Sequence, residues 1–231
     1  MYLKCTSCRI LHHCLWDSLS RTLLEGLLEH SLVSTYEPKE FIFHERDEAY
    51  GLYVLCQGLV KLIKSAQNNK QMIVALVHPG QLLGVTFALN GGLFPMSAQA
   101  VDLSTVLFLH RKHFDDLLQR DPSLSLLLLS YSNEQLGQTL NTLIDLVALN
   151  VEQRLAGALL QFAESAANHT NSGLVCRLPL RRAELADYIG TTPETTMRVL
   201  GKLKRENVIK IERRMITFLD IQRLRELAHS A

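Results

Sequence analysis

The chain has 231 residues, room for two modest domains that each bury a core, and 47% of it is hydrophobic, which excludes a disordered polymer. No run is long enough to cross a bilayer: the longest apolar cluster, Leu124 to Leu129, is broken by Ser125. The formal charge of +1 hides an asymmetry, because residues 170–231 carry 12 Lys and Arg against 7 Asp and Glu, a net of +5, while residues 1–169 carry a net of −4. The C-terminal third is therefore the part suited to a polyanion. The N-terminus has no apolar signal core, so a cytoplasmic chain is expected. In that compartment five cysteines speak for metal or redox chemistry rather than a disulfide frame.

Three cysteines come at once. Cys5, Cys8 and Cys14 form a C-x2-C-x5-C run in a tail otherwise short of structural signal. Thiolates this close converge on one soft metal centre at small entropic cost, because the loops between them are short. A cubane iron–sulfur cluster or a tetrahedral zinc needs a fourth ligand, for which the sequence offers Cys56, His12, His13 or Cys176. A thiol switch is the metal-free alternative.

From Trp16 to Glu29 the spacing of Leu19, Leu23, Leu24, Leu27 and Leu28 predicts a short amphipathic helix capped by Asp17 or Ser18. The period then changes to short extended runs: Leu32–Tyr36, Glu40–His44, Leu52–Gln57, Leu59–Ser65, Gln71–Val77, Met96–Ala100 and Ser104–His110. Turn formers such as Gln57-Gly58, His78-Pro79-Gly80 and Asn90-Gly91-Gly92 separate them. The spacing predicts an antiparallel sandwich or roll.

A long helical span follows, from Asp121 to Glu164, starting at Pro122 and hinged near Asn150. Leu129, Asn133, Leu136, Leu140, Leu143 and Val147 fall on one face at alternating four-three spacing, which predicts a coiled-coil seam and hence a second copy of the chain. A helix lying along its own domain's core is the plainer alternative. Beyond it, Arg182–Ile189 and Pro193–Glu206 read as two short helices around Gly190, the second capped by Thr192. Val199, Leu200 and Leu203 point to the core of this unit, leaving Glu194, Thr195, Met197 and Arg198 outward at the helix start, the positions that enter a major groove. Val208–Ile211 and Met215–Leu219 predict a hairpin wing around Glu212-Arg213-Arg214.

In this order of parts the chain resembles the CRP/FNR transcription factors, the family of the cyclic-AMP receptor protein and the fumarate and nitrate reduction regulator. The likeness rests on Leu52-Tyr53-Val54-Leu55-Cys56-Gln57-Gly58, on Pro79-Gly80-Gln81-Leu82-Leu83-Gly84, on Glu184-Leu185-Ala186-Asp187-Tyr188-Ile189-Gly190 and on Glu194-Thr195-Thr196-Met197-Arg198-Val199-Leu200. It implies an α+β fold: a cysteine-bearing tail over residues 1–18, a β-roll of the cyclic-nucleotide-binding type over 19–120, a dimerisation helix over 121–149 and a winged helix-turn-helix over 150–231. It also implies a homodimer on a palindromic double-stranded operator, working with RNA polymerase. The tail's cysteine spacing is that of the oxygen-sensing branch, which implies a 4Fe–4S cluster.

Cyclic AMP is not expected as effector. Val85 and Thr86 follow Gly84, and Met96 precedes Ser97, where cyclic-nucleotide members place the Glu and Arg that hold ribose and phosphate. The oxygen-sensing branch takes its fourth cysteine from the last strand of the roll, where this chain has Leu107. Cys56 lies on a strand that neighbours that last strand in a jelly-roll order, and is the candidate replacement, with His13 next. By the same resemblance Arg198 would donate to guanine and Glu194 accept from cytosine, with Thr195 and Met197 near adjacent bases. Arg181, Arg182, Lys202, Lys204 and Arg213 are expected phosphate contacts. Zinc or a thiol switch among Cys5, Cys8 and Cys14, or a small-molecule effector in place of a cluster, is the rival input. An enzyme is not expected, because the roll offers only scattered His44, His78 and His110.

Overall fold

The structure, a computed structural model, describes residues 14–65, 70–84, 91–166, 168–170 and 173–229. The chain divides into two compact units, Met1–Gly137 and Gln138–Ala231, with the boundary inside the long helix.

The first unit opens with a 3-10 turn, Leu15–Ser18, and α1, Arg21–Glu29. The expected single helix is thus two pieces. Its cap is Ser20, whose Oγ accepts from Leu23 N at 3.3 Å, rather than Asp17 or Ser18, because those two residues are consumed by the tighter turn. Next come β1 (Ser31–Tyr36), β2 (Phe41–Phe43), β3 (Gly51–Gln57), β4 (Val60–Ser65), β5 (Gln71–Val77), β6 (Leu82–Leu83), β7 (Ser97–Ala100) and β8 (Ser104–His110). They form two antiparallel sheets, β1-β8-β3-β6 and β2-β7-β4-β5, as a roll. Leu52, Leu55, Val60, Leu83, Ala98 and Leu109 are essentially sealed from water and belong to its core. Missing from the sequence reading is β6, two residues long and too short to carry a period.

Gly58 is the point where the chain leaves one sheet for the other. Its φ is +95°, and a β-carbon there would lie 2.5 Å from Ser104 Oγ and 2.6 Å from the Leu103 carbonyl oxygen, so both conformation and space demand glycine.

Helix α2 (Arg111–Arg120) leads into α3 (Pro122–Ala148). Asp121 stops the first and starts the second: its Oδ1 accepts from Ser123 N at 3.0 Å and Ser123 Oγ at 2.6 Å. The first turns of α3 pack Leu124 and Leu128 into the roll core. Tyr131 adds a polar pin, its hydroxyl accepting from Leu82 N at 3.1 Å and donating to Leu82 O at 3.2 Å.

The second unit continues with α4 (Val151–Ala166), β9 (Asn168–Thr170), β10 (Gly173–Arg177), α5 (Arg182–Ile189), α6 (Pro193–Arg205), β11 (Ile209–Glu212), β12 (Met215–Phe218) and α7 (Ile221–His229). The expected hairpin is half of a four-stranded sheet, β11-β12-β10-β9, whose inner strand β10 places Cys176 in the core of this unit. Burial pushes its thiol up to about 11, which marks a packing residue rather than a ligand.

Replacing Gly58 with Ala is expected to cost roughly 2 kcal/mol or more, through the left-handed backbone and the overlap with Ser104. Chemical denaturation would show it as a lower midpoint with an unchanged slope.

Candidate nucleic-acid interface and cysteine site

The outward face of α6 is fixed from its first residue. Thr192 Oγ1 accepts from Thr195 N at 3.3 Å, Pro193 occupies the first helical position, and the buried Thr196 hydroxyl donates to Thr192 O at 3.0 Å. Val199, Leu200 and Leu203 are buried, which turns Glu194, Met197 and Arg198 to solvent. Thr195 differs from these three: it is half-buried, and its hydroxyl accepts from Thr192 Oγ1 at 3.3 Å. The N-terminal end of the helix dipole favours the Glu194 carboxylate there.

Arg205 completes the same stripe and was missed in the sequence reading. Glu194, Arg198, Gly201 and Arg205 follow the four-three-four spacing of one helix face, and the Arg205 guanidinium lies over Gly201. The signal was present, as the positions opposite Val199, Leu200 and Leu203.

Among the expected phosphate contacts, Arg181, Arg182, Lys204 and Arg213 are exposed. Arg181 starts α5, where Glu184 Oε2 accepts from its backbone N–H at 2.7 Å, and Arg213 sits at the wing tip with φ +57°. Its neighbour Arg214 is structural instead, donating to Pro179 O at 2.9 Å and Leu178 O at 3.3 Å. Lys202 is set apart from the others. Its Nζ lies 2.7 Å from Glu152 Oε2 on α4, a bond that holds its ammonium above the ordinary lysine range, so its charge already serves the unit's own packing.

Cys14 and Cys56 are both half-buried against the roll core. Their neighbours meet at one residue: Leu15 N donates to Gly80 O at 3.1 Å, and Gly80 N donates to Leu55 O at 2.7 Å. Strand β3 does pair with β8, with Val54 opposite the buried Leu107, and the register shifts between Leu55 and Gln57, making Cys56 the residue of a bulge. Bulges re-aim a side chain away from the regular alternation. Cys5, Cys8, His12 and His13 lie outside the described residues. Among the described residues no group of three or more His, Cys, Asp or Glu is placed to hold a metal.

The effector turn keeps its glycine, Gly84 at φ +71°, packed on Phe94. Val85 and Thr86 lie outside the described residues, but Ser97 is in view, and its Oγ accepts from Glu45 N at 2.9 Å. Along α3 the six seam residues all face water, with Leu136 at 57% exposure and Val147 at 90%, and no described helix is long and apolar enough to cross a membrane.

Residues 33–121 match the family model of the cyclic nucleotide-binding domain, and residues 153–227 that of the Crp-like helix-turn-helix domain. The chain is 28% identical to the transcriptional activatory protein AadR of Rhodopseudomonas palustris, over 84% of its own length and 80% of that protein. It is 26% identical to the fumarate and nitrate reduction regulatory protein of Vibrio cholerae, over 98% and 90% respectively. The solved structure of FixK2 from Bradyrhizobium japonicum shares the fold, with a TM-score of 0.77 at 23% identity over 87% of this chain and 98% of that one. With these two domains in this order along the chain, it is a DNA-binding transcription regulator, not an enzyme, and belongs to the CRP/FNR family.

Proposed function

We propose that the protein is a homodimeric, cytoplasmic sensor of oxygen or nitric oxide that binds a palindromic operator and acts on RNA polymerase. The observation that carries the sensing half is the turn at Gly80, which bonds the residue after Cys14 and the residue before Cys56. Cys5, Cys8, Cys14 and Cys56 would hold a 4Fe–4S cluster, which supplies sensitivity to oxidants when bound. Four soft thiolates fit such a group and are poor ligands for hard cations. Relatives named for fumarate and nitrate reduction and for anaerobic regulation support this direction.

The protein's own residues then carry the response. Leu55 N donates to Gln81 O at 3.0 Å, and the next residue, Leu82, is pinned by Tyr131 of α3, so the cysteine-bearing segment, the Gly80 turn and the helix share one run of hydrogen bonds. Altered packing at the tail biases how α3 pairs, and with it the placement of two recognition helices one DNA turn apart. The exposed seam of Leu129, Asn133, Leu136, Leu140, Leu143 and Val147 is the pairing surface, in which one polar Asn fixes register. Cyclic AMP does not suit this roll, since Met96 stands where an arginine would meet the phosphate and the Ser97 hydroxyl is engaged with Glu45. On the DNA, Arg198 reads guanine and Glu194 reads cytosine, with Thr195 and Met197 beside them, while Arg181, Arg182, Lys204 and Arg213 meet phosphates and Lys202 is secondary.

Purified without air, the protein is expected to be brown, with iron and acid-labile sulfide in equal amounts, and to bleach in air. Cys56→Ala is expected to lose most of that iron. Colourless protein after anaerobic reconstitution, with zinc bound or no metal at all, would refute the cluster, and full iron in Cys56→Ala would refute Cys56 as the ligand.

Leu136→Glu places a charge in the seam and is expected to give a monomer by sedimentation equilibrium, with the fold intact by circular dichroism; a dimer of unchanged affinity would rule out this face. Arg198→Ala is expected to weaken operator binding by about 1–3 kcal/mol and to relax preference at one base pair of each half-site. Lys204→Ala should instead weaken all sequences alike and lower the salt slope by about one, both read by fluorescence anisotropy.

A further inference from the structure

The hinge between α3 and α4 contains a fastening separate from both the cysteine site and the outward face of α6. Helix α3 ends at Ala148 and α4 begins at Val151, leaving Leu149 and Asn150 between them. Asn150 closes the gap locally: its Oδ1 accepts from Glu152 N at 2.9 Å and Gln153 N at 3.1 Å, and its own N–H donates to Gln153 Oε1 at 2.8 Å. Arg154, half-buried in the first turn of α4, then reaches in two directions. Toward α3 its Nη1 donates to Leu149 O at 2.6 Å and Leu146 O at 3.2 Å. Toward α5 its Nε donates to Ile189 O at 2.8 Å and its Nη2 to Gly190 O at 3.4 Å.

All four acceptors are C-terminal carbonyls, the groups a helix leaves without internal partners and where its dipole is negative. One guanidinium, planar and always charged, with five donors in a fixed fork, satisfies the ends of two helices at once. A second, apolar contact closes the same joint. Gly190 has φ +66°, and a β-carbon on it would lie 2.8 Å from Leu146 Cδ2, so the helix-turn-helix turn rests directly on the last turns of α3. The same turn of α4 grips the recognition helix as well, through Glu152 and Lys202.

We infer that Arg154 is a positioning residue for DNA recognition: by holding the end of α3 against the turn of the helix-turn-helix, it fixes the angle at which the reading head leaves the dimerisation helix. In a dimer that angle sets the separation of the two recognition helices, and therefore the half-site spacing the protein accepts. This consequence rests on the homodimer proposed above. Arg154 touches no base. It acts through α5 and α6, and a lysine in its place keeps the charge but cannot span both helix ends.

The test compares the full-length protein with Arg154→Lys and Arg154→Gln by anisotropy on three DNA probes: the palindrome, a single half-site, and palindromes with one base pair inserted or removed between half-sites. The expected result is half-site affinity within about twofold of wild type, palindrome affinity lower by about tenfold or more, and loss of the spacing preference. Hydrogen exchange is expected to quicken over residues 146–150 and 187–191 while residues 196–203 stay protected. Variants that keep wild-type spacing preference overturn the inference, as does equal weakening of half-site and palindrome with a lowered melting temperature, the result of a merely structural role. Wild type without a palindrome advantage would instead refute the dimer. The exchange data decide the hinge in that case, since unchanged exchange at 146–150 and 187–191 overturns the role of Arg154.

Discussion

A helix of 27 residues cannot bury all its apolar side chains on one roll, and that mismatch organises the protein. At 1.5 Å per residue α3 runs about 40 Å, longer than the diameter of a small domain. Leu124, Leu128 and Tyr131 spend its first turns on the core and on Leu82, whereas Leu136, Leu140, Leu143 and Val147 remain in water. Surface leucines are ordinary when scattered, but a continuous row at coiled-coil spacing is not. The helix thus serves two masters, with the roll holding its start and an apolar row open along the rest.

The two ends of that helix are secured by different chemistry. At its start, side chains meet side chains, supplemented by the Tyr131 hydroxyl between a backbone N–H and C=O. At its far end the polar fastening is to main-chain groups, carbonyls through Arg154 and N–H groups through the Asn150 cap, beside one apolar contact of Leu146 with Gly190. Apolar packing tolerates small adjustments of angle, because dispersion contacts are many and individually weak. A fork of charge-assisted hydrogen bonds does not, because its donors have fixed directions.

Most of this plan was legible in the sequence, and for stated reasons. The strands announced themselves through turn residues at Gly58, Pro79-Gly80 and Gly91-Gly92, and the helix-turn-helix through Gly190, Thr192 and Pro193, where backbone geometry restricts the choice of residue. The order of parts carried the family. What stayed hidden was structure set by short local elements and by partners remote in sequence. The cap of α1 shifted to Ser20 because a 3-10 turn took the preceding residues, and β9 and β10 escaped because short strands carry no period. At the site, Glu194, Met197 and Arg198 faced outward as their spacing required. The engagement of Lys202 with Glu152 could not be read, nor could Arg154, since carbonyl acceptors leave no residue signature. Cys56 was placed on the right pair of strands, while its position in a bulge depended on a register that alternation alone does not give.

The clamp at Gly190 and Ile189 engages only main-chain atoms of α5, and the side chains that look outward from α6 take no part in it. Exchange of Met197 or Arg198 during divergence would therefore leave the docking of the reading head intact. Recognition chemistry and mounting geometry are inherited separately in such a design. New target sequences become reachable by single substitutions, without any need to rebuild the joint that carries them.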